Sequence, residues 1–142
     1  MNLYTKLLKI DRHVRILSGW SAYLYAQWEE AFASHLSEAE KKDIYLKDVD
    51  YFTGYLWHIF SFQKHDHLSG QEAIQAFDSQ AKTRCFVFYQ HSTDAYLIEN
   101  ASGLHVNDLK DEEDIYIVDT DFTWTFVITH ETDSCGPYFA KV

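Results

Sequence analysis

The chain has 142 residues, with 12 Lys and Arg against 22 Asp and Glu, and a formal net charge of −10 at pH 7. That length suits a single globular domain over 1–142, with enough core to fold without metal or disulfide support. The charge opposes nucleic acid, which needs clustered Lys and Arg, and anionic membranes; it keeps a protein soluble and favours a basic protein as partner.

Leu3, Leu7, Ile10, Val14 and Leu17 alternate steps of four and three, which predicts one helical stripe. Lys6, Lys9, Asp11, Arg12 and Arg15 interrupt it before an export-type apolar core forms. No run reaches the ~20 apolar residues of a membrane helix. Cys85 and Cys135 form no Cys-x-x-Cys pair. Reduced thiols and a cytoplasmic location are therefore expected. After Ser18-Gly19, a second helix is predicted. Trp20, Leu24, Trp28 or Ala31, and His35 fall on one side of it, widened by Phe32 and Leu36. Ser37-Glu38-Ala39-Glu40 has the form of a capping box, which predicts a third helix to about Tyr45.

The period then changes. Tyr55-Leu56-Trp57-His58-Ile59-Phe60-Ser61-Phe62 is short, aromatic and nearly continuous in apolar character, and reads as a strand. A polar turn over 63–68 leads to Ser69-Gly70-Gln71-Glu72, a second capping-box pattern. It opens a helix with Ala73, Ile74, Ala76 and Phe77, ending near Asp78. Residues 84–90 and 95–99 read as strands joined by a turn. Residues 104–113 are acidic and irregular, with one helical turn at 106–110. Residues 114–131 form two β-rich runs around a polar break, a hairpin that puts Trp124, Phe126 and Ile128 on one face. Gly136-Pro137-Tyr138-Phe139 adds a short edge strand. The expected fold is α+β. N-terminal helices, over about 1–48, pack on a mostly antiparallel sheet of about five strands, over about 52–142, with one helix between its first two strands.

Histidine, with eight copies, is plentiful enough to suggest a site, since imidazole can bind zinc or shuttle protons near neutral pH. His65-x-His67, with Asp66 between, is the closest pair and the weak candidate for a metal; no further ligands stand at recognisable spacing, so no metal or other cofactor is expected. His58, His91 and the His130-Glu131 pair lie in or beside strands, with Asp94 and Asp121 in turns. If those strand ends converge, a histidine beside a carboxylate forms an acid–base pair. Cys85, next to Arg84, is a weaker nucleophile candidate; buried cysteines are usually inert. No Gly-x-Ser-x-Gly elbow, phosphate loop or dinucleotide fingerprint occurs. The acidic run Asp108, Asp111, Glu112, Glu113 and Asp114 lacks the spacing of an EF-hand loop. It reads as a solvated loop, or as the surface that meets a basic partner.

Tyr55 to Phe62 and Asp121-Phe122-Thr123-Trp124-Thr125 resemble a family of small proteins from Bacillus-type bacteria, grouped as a domain of unknown function (number 4275). Glu72-Ala73, Ala76-Phe77-Asp78, Phe88-Tyr89-Gln90-His91-Ser92, Glu99-Asn100-Ala101-Ser102 and Cys135-Gly136-Pro137-Tyr138-Phe139 extend the resemblance over roughly 15–142. It implies a bacterial, cytoplasmic, single-domain protein and carries no catalytic residues. Two functions remain open. The first is a non-enzymatic binding or protein-interaction module, such as an inhibitor or immunity-like partner of a basic protein. The second is a small metal-dependent or His-based hydrolase using His58, His91 or His130. A cleft in which two or more histidines meet a carboxylate or a metal separates them, in favour of the hydrolase.

Overall fold

The run 115–128 is apolar on both of its alternating sides, and it becomes the centre of a sheet covered on both faces. The computed structural model describes residues 2–46, 54–132 and 134–142. Among these, seven strands are β1 (Arg15–Leu17), β2 (Leu68–Ser69), β3 (Cys85–Tyr89), β4 (Ala95–Ile98), β5 (Ile115–Asp119), β6 (Trp124–Ile128) and β7 (Tyr138–Lys141). They form one sheet in the order β1-β4-β3-β5-β6-β7-β2, every neighbouring pair antiparallel. The helices are short: α1 (Leu3–Ile10), α2 (Ser21–Ala33), α3 (Glu38–Asp43), α4 (His58–Ser61) and α5 (Gly70–Ser79), with a 3₁₀ turn at Val106–Leu109.

The hairpin β5–β6 sets the layers. Its turn is held by the Asp119 carboxylate, which accepts from the backbone N–H of Thr123 at 2.7 Å and Trp124 at 3.0 Å. Trp124, Phe126 and Ile128 share one face, as their period-two spacing requires, and pack with Leu3, Leu7, Ala73 and Phe77 of α1 and α5. Phe77 stacks on Phe126 with ring centroids 4.3 Å apart. The opposite face, with Phe88, Tyr116, Val118 and Val127, meets Leu24, Trp28, Phe32 and Phe60 of α2 and α4. Trp28 Nε1–H donates to Thr125 Oγ1 at 2.8 Å, which satisfies the polar atom a buried indole carries. Burial on both faces explains why these strands read as continuous apolar runs rather than as alternation.

The α+β class and the mostly antiparallel sheet are as expected; the strand count and the helix placement are not. The run 55–62 is no strand. Leu56, Ile59 and Phe60 are buried at helical spacing around α4. A short apolar run fits a buried helix turn as well as a strand, and here the helix prevails. The sheet gains β1 and β2 instead, while the strand expected at 136–139 is present as β7, lying between β6 and β2 rather than at the edge. The helical stripe stops at Ile10 because the Asp11 carboxylate accepts from the backbone N–H of His13 at 3.0 Å, Glu99 at 2.8 Å and Asn100 at 3.1 Å. That anchor lays 15–17 against β4.

Ser69 makes no side-chain cap, so the second capping box does not form. Its extended backbone pairs with Tyr138 in β2, although α5 still starts at Gly70. The box at Ser37 does form, with Glu40 N–H donating to Ser37 Oγ and Ser37 N–H to Glu40 Oε1. Nor is one helix inserted between the first two strands: α2, α3 and α4 lie between β1 and β2. The helices split between the faces, α1 and α5 on one, α2 and α4 on the other. The boundary expected at 48–52 lies outside the described residues. Among them, no helix is long and apolar enough to cross a membrane.

Candidate functional site

Register brings the site together. Tyr89 lies opposite Ile115, and Ile115 opposite Ile128. The residues just beyond those pairs, His91, Asp114 and His130, therefore emerge at one end of the sheet. The segment leading into α4 closes over that end. Gln90 clamps it there: its Nε2–H donates to the Gly54 carbonyl at 3.1 Å, and its Oε1 accepts from Leu56 N–H at 3.2 Å and Tyr116 O–H at 2.5 Å. Tyr25 O–H also donates to the Gly54 carbonyl at 2.5 Å. A side chain at Gly54 would place its Cβ 1.4 Å from the Tyr45 carbonyl oxygen, so only glycine allows this approach.

The clamp puts Tyr55 at the hub. Its ring centroid lies 5.7 Å from His58, 5.4 Å from His91 and 5.1 Å from His130. His58, His91 and His130, the three histidines singled out by the sequence, thus surround one tyrosine ring, and His91 Nε2 stands 3.3 Å from the Tyr55 hydroxyl. Trp57 packs on His58 at 4.7 Å and on His130 at 5.8 Å.

Asp114 is the buried partner of this group. It sits at a positive φ of 51° at the start of β5. Its Oδ1 accepts from Trp57 Nε1–H at 3.0 Å and His130 N–H at 3.2 Å, and its Oδ2 lies 2.9 Å from His130 Nδ1. The other ring nitrogen, Nε2, is 3.6 Å from Glu131 Oε1. A cleft of 370 Å³ opens here, with Tyr55, Trp57, His58, His130, Glu131 and Cys135 in its wall.

The two imidazoles of the cleft are driven in opposite directions. The hydrogen bond to Asp114 raises His130 above the ordinary histidine value, against some burial, and the charges of Asp114 and Glu131 add to it. Burial lowers His58, and the carbonyls of Ile44 and Tyr45 recover only part of the loss. His58 Nδ1 is buried without a hydrogen-bond partner. Burial and the Asp114 charge raise the Tyr55 hydroxyl as well. The two imidazoles are thus moved apart, His130 upward and His58 downward, the kind of separation that assigns acid and base roles within one site. With Nδ1 held by Asp114, Nε2 is the edge through which His130 exchanges protons.

The remaining candidates lie elsewhere. His65 Nδ1 is 2.7 Å from the Asp66 carbonyl, and His67 Nδ1 is 2.8 Å from the His65 carbonyl. Both rings also pack on Phe60. Among the described residues, no three His, Cys, Asp or Glu side chains gather as metal ligands. In the acidic run, Asp108 accepts from His105 N–H at 3.0 Å, Asp111 lies 3.5 Å from Lys6 Nζ, and Glu112 accepts from the Tyr89 hydroxyl. Asp94 accepts from Gly19 N–H at 3.2 Å, while Asp121 lies in the hairpin turn at the far end of the sheet. Cys85 is buried in β3, and burial pushes its thiol up to about 12, so it is inert. A larger cleft of 460 Å³ runs between Ser21 and Thr93 past His91, but its wall holds no carboxylate.

Sequence reasoning missed Tyr55, Trp57 and Cys135, and it placed Asp114 in the acidic run rather than at a histidine. Pairing the two ends of the 114–131 hairpin would have brought Asp114 to His130. Nothing in the pattern foretold the Tyr55 segment.

A family model described as Domain of unknown function (DUF4275) matches residues 1–139, and the chain belongs to that family. No curated protein and no solved structure matches the chain.

Proposed function

We propose that this member of the DUF4275 family is a small histidine-based hydrolase in which His130 transfers protons. The family's description assigns no function, so the reading stands on the cleft. Its carrying observation is the Asp114–His130 contact of 2.9 Å, which fixes one imidazole nitrogen and leaves the other toward Glu131 and the cleft. Orienting a histidine through a buried carboxylate is how a proton-transfer group is held in one tautomer and in one place. His58, whose protonation burial disfavours, is the second imidazole of the cleft. Rings of Tyr55 and Trp57 give the cleft an apolar, aromatic wall for the substrate. The metal-dependent form of this reading lacks a ligand set among the described residues, so the histidine-based form is preferred. Free Cys85 and Cys135 fit the reduced, cytoplasmic setting expected from the sequence.

A panel of p-nitrophenyl esters, with acetyl and benzoyl groups, tests the proposal. We expect saturable release of p-nitrophenol that falls about 100-fold or more in His130→Gln, the scale of a lost general acid–base. Equal rates in the two proteins would overturn it.

A second reading, a module that holds a basic partner, draws on the net charge of −10 and on Asp111 and Glu113, which are exposed. It has less to build on than the composition promised, because Asp108, Glu112 and Asp114 already accept hydrogen bonds inside the chain.

A further inference from the structure

We infer that this cleft binds an organic cation, an ammonium group carrying alkyl substituents, and that its substrates are esters of amino alcohols. The inference rests on the reading of His130 given above and names the arm of the substrate that the cleft recognises.

Three observations carry it. First, open aromatic rings gather in one place. Tyr45, Tyr55 and Phe62 stand around the His58 ring, with centroids at 6.3, 5.7 and 5.6 Å. Tyr45 and Phe62 also pack on each other at 6.1 Å, yet they are 64% and 43% exposed. Tyr45 holds its place at a φ of 60°, a backbone region that strains any residue but glycine. Large rings left open side by side mark a ligand site more often than a solvated face. Second, the cleft offers a carboxylate and no fixed cation. Glu131 is half-exposed in its wall, and among the described residues no Lys or Arg lines it. A protonated His130 is already matched by Asp114 at 2.9 Å, so Glu131 leaves the cleft negative in either state of His130. The Glu131 charge acts on Tyr55, His58 and His130 alike, raising the proton affinity of each. Carboxylate and rings therefore serve one volume. Third, that volume, 370 Å³, suits one small ligand, and the net charge of −10 draws cations toward it.

The chemistry selects the ligand class. An aromatic face attracts an ammonium group through the ring quadrupole, and an alkylated ammonium gives up its water more readily than a bare one. The carboxylate adds a charge that a neutral isostere cannot use. Glu131 Oε1 lies 3.6 Å from His130 Nε2, so a cation held at Glu131 brings an ester bond one short spacer away toward the proton-transfer edge of His130. The cation and the His130 proton then compete, because like charges oppose each other. Binding should lower the His130 titration, and by reciprocity affinity should rise with pH as His130 loses its proton. The groups facing His130 are Tyr55, His58, Glu131 and Cys135 in the cleft, Asp114 behind it, and Glu113, whose field also reaches it.

The test is binding of choline, and of its neutral isostere in which carbon replaces nitrogen, to the full chain, followed by NMR of the imidazole nitrogens. Above the His130 titration, choline should bind about fivefold or more tighter than the isostere, the scale of one partly desolvated cation–π contact. Glu131→Gln should remove most of that preference and leave the isostere unchanged. Phe62→Leu keeps an apolar side chain and loses the ring, so it should weaken choline more than the isostere. Both side chains are exposed, and near-ultraviolet circular dichroism of the tryptophans reports the fold of each variant. Choline, and not the isostere, should lower the His130 titration. Choline bound no better than the isostere, or equally by wild type and Glu131→Gln, would overturn the inference, even where ester hydrolysis is lost in His130→Gln and the proton-transfer reading stands. A trimethyllysine amide bound more tightly than choline would overturn the amino-alcohol assignment and put the cation on a peptide. Choline binding as expected, with ester hydrolysis indifferent to His130→Gln, would overturn the esters as substrates together with the hydrolase reading and leave the cation site alone standing.

Discussion

The two cysteines mark two regions with different logic. Cys85 opens β3 in the middle of the sheet, with no exposed surface, and its burial raises the thiol to about 12. Cys135 lies in the loop past β6, partly exposed and in the wall of a cleft that also holds two imidazoles. The sheet centre is held by packing: Phe77 on Phe126, Phe88 on Tyr116, Trp28 against both Phe60 and Tyr116. The sheet end is held by directed hydrogen bonds that Gln90 and Asp114 accept and Thr129 donates. The same residue type is an inert packing group in the first region and lines a solvent-open cleft in the second. Its place in the fold decides which, not the side chain itself.

That contrast makes graded expectations. The largest effect belongs to the centre. Phe126→Ala should lower unfolding stability in urea by about 3–5 kcal/mol, the cost of an emptied, fully buried aromatic site. A loss below about 1 kcal/mol would mean that this face collapses to fill the gap and is not close-packed. Asp114→Asn comes next. It weakens a buried acceptor of Trp57 and His130, and should cost about 1–3 kcal/mol while returning His130 toward an ordinary titration. A variant as stable as the wild type would leave the sheet end without the hydrogen-bond logic described above.

The pH dependence follows from the two imidazoles. His130 is raised in the fold, so its contribution is fully present below about pH 6.5 and is lost as pH rises through the folded value. His58 is lowered, so the fold disfavours its protonation and stability falls as pH drops below about 6.5 toward the folded value. Together these groups place a shallow stability maximum near about pH 6.5, measurable as urea midpoints across pH. His130→Gln should flatten the alkaline side only; flattening of the acid side instead would reverse the assignment. The smallest effect belongs to the exposed acidic surface. Glu113→Gln should change stability by no more than about 0.5 kcal/mol. A larger change would show that Glu113 is part of the site rather than part of the solvated face.

The legibility of the sequence followed the same division. Strands β3 to β6 were readable because β-branched and aromatic runs between turn residues have few other uses, and the face shared by Trp124, Phe126 and Ile128 needed only period-two spacing. β1 and β2 were not readable. Each is short, and each exists because a distant residue captures it: Asp11 bonding to Glu99 and Asn100, and Ser69 pairing with Tyr138. The run 55–62 misled because a short, nearly continuous apolar run suits a buried strand and a buried helix turn alike until tertiary packing chooses. In the site, residue types pointed to His58, His91, His130 and Glu131, but their convergence depends on strand register and on a loop clamped by Gln90. Asp114 reads as one more acidic residue until the hairpin is closed, and then it is the partner of His130.

The most direct test of the His130 site is NMR titration of the imidazole nitrogens. We expect His130 to titrate above about 6.5, with its neutral form protonated on Nδ1 toward Asp114, and His58 to titrate below that value. Asp114→Asn should bring His130 down and leave His58 on its own side. A His130 that titrates at or below His58, or that ignores Asp114→Asn, would contradict the acid–base site.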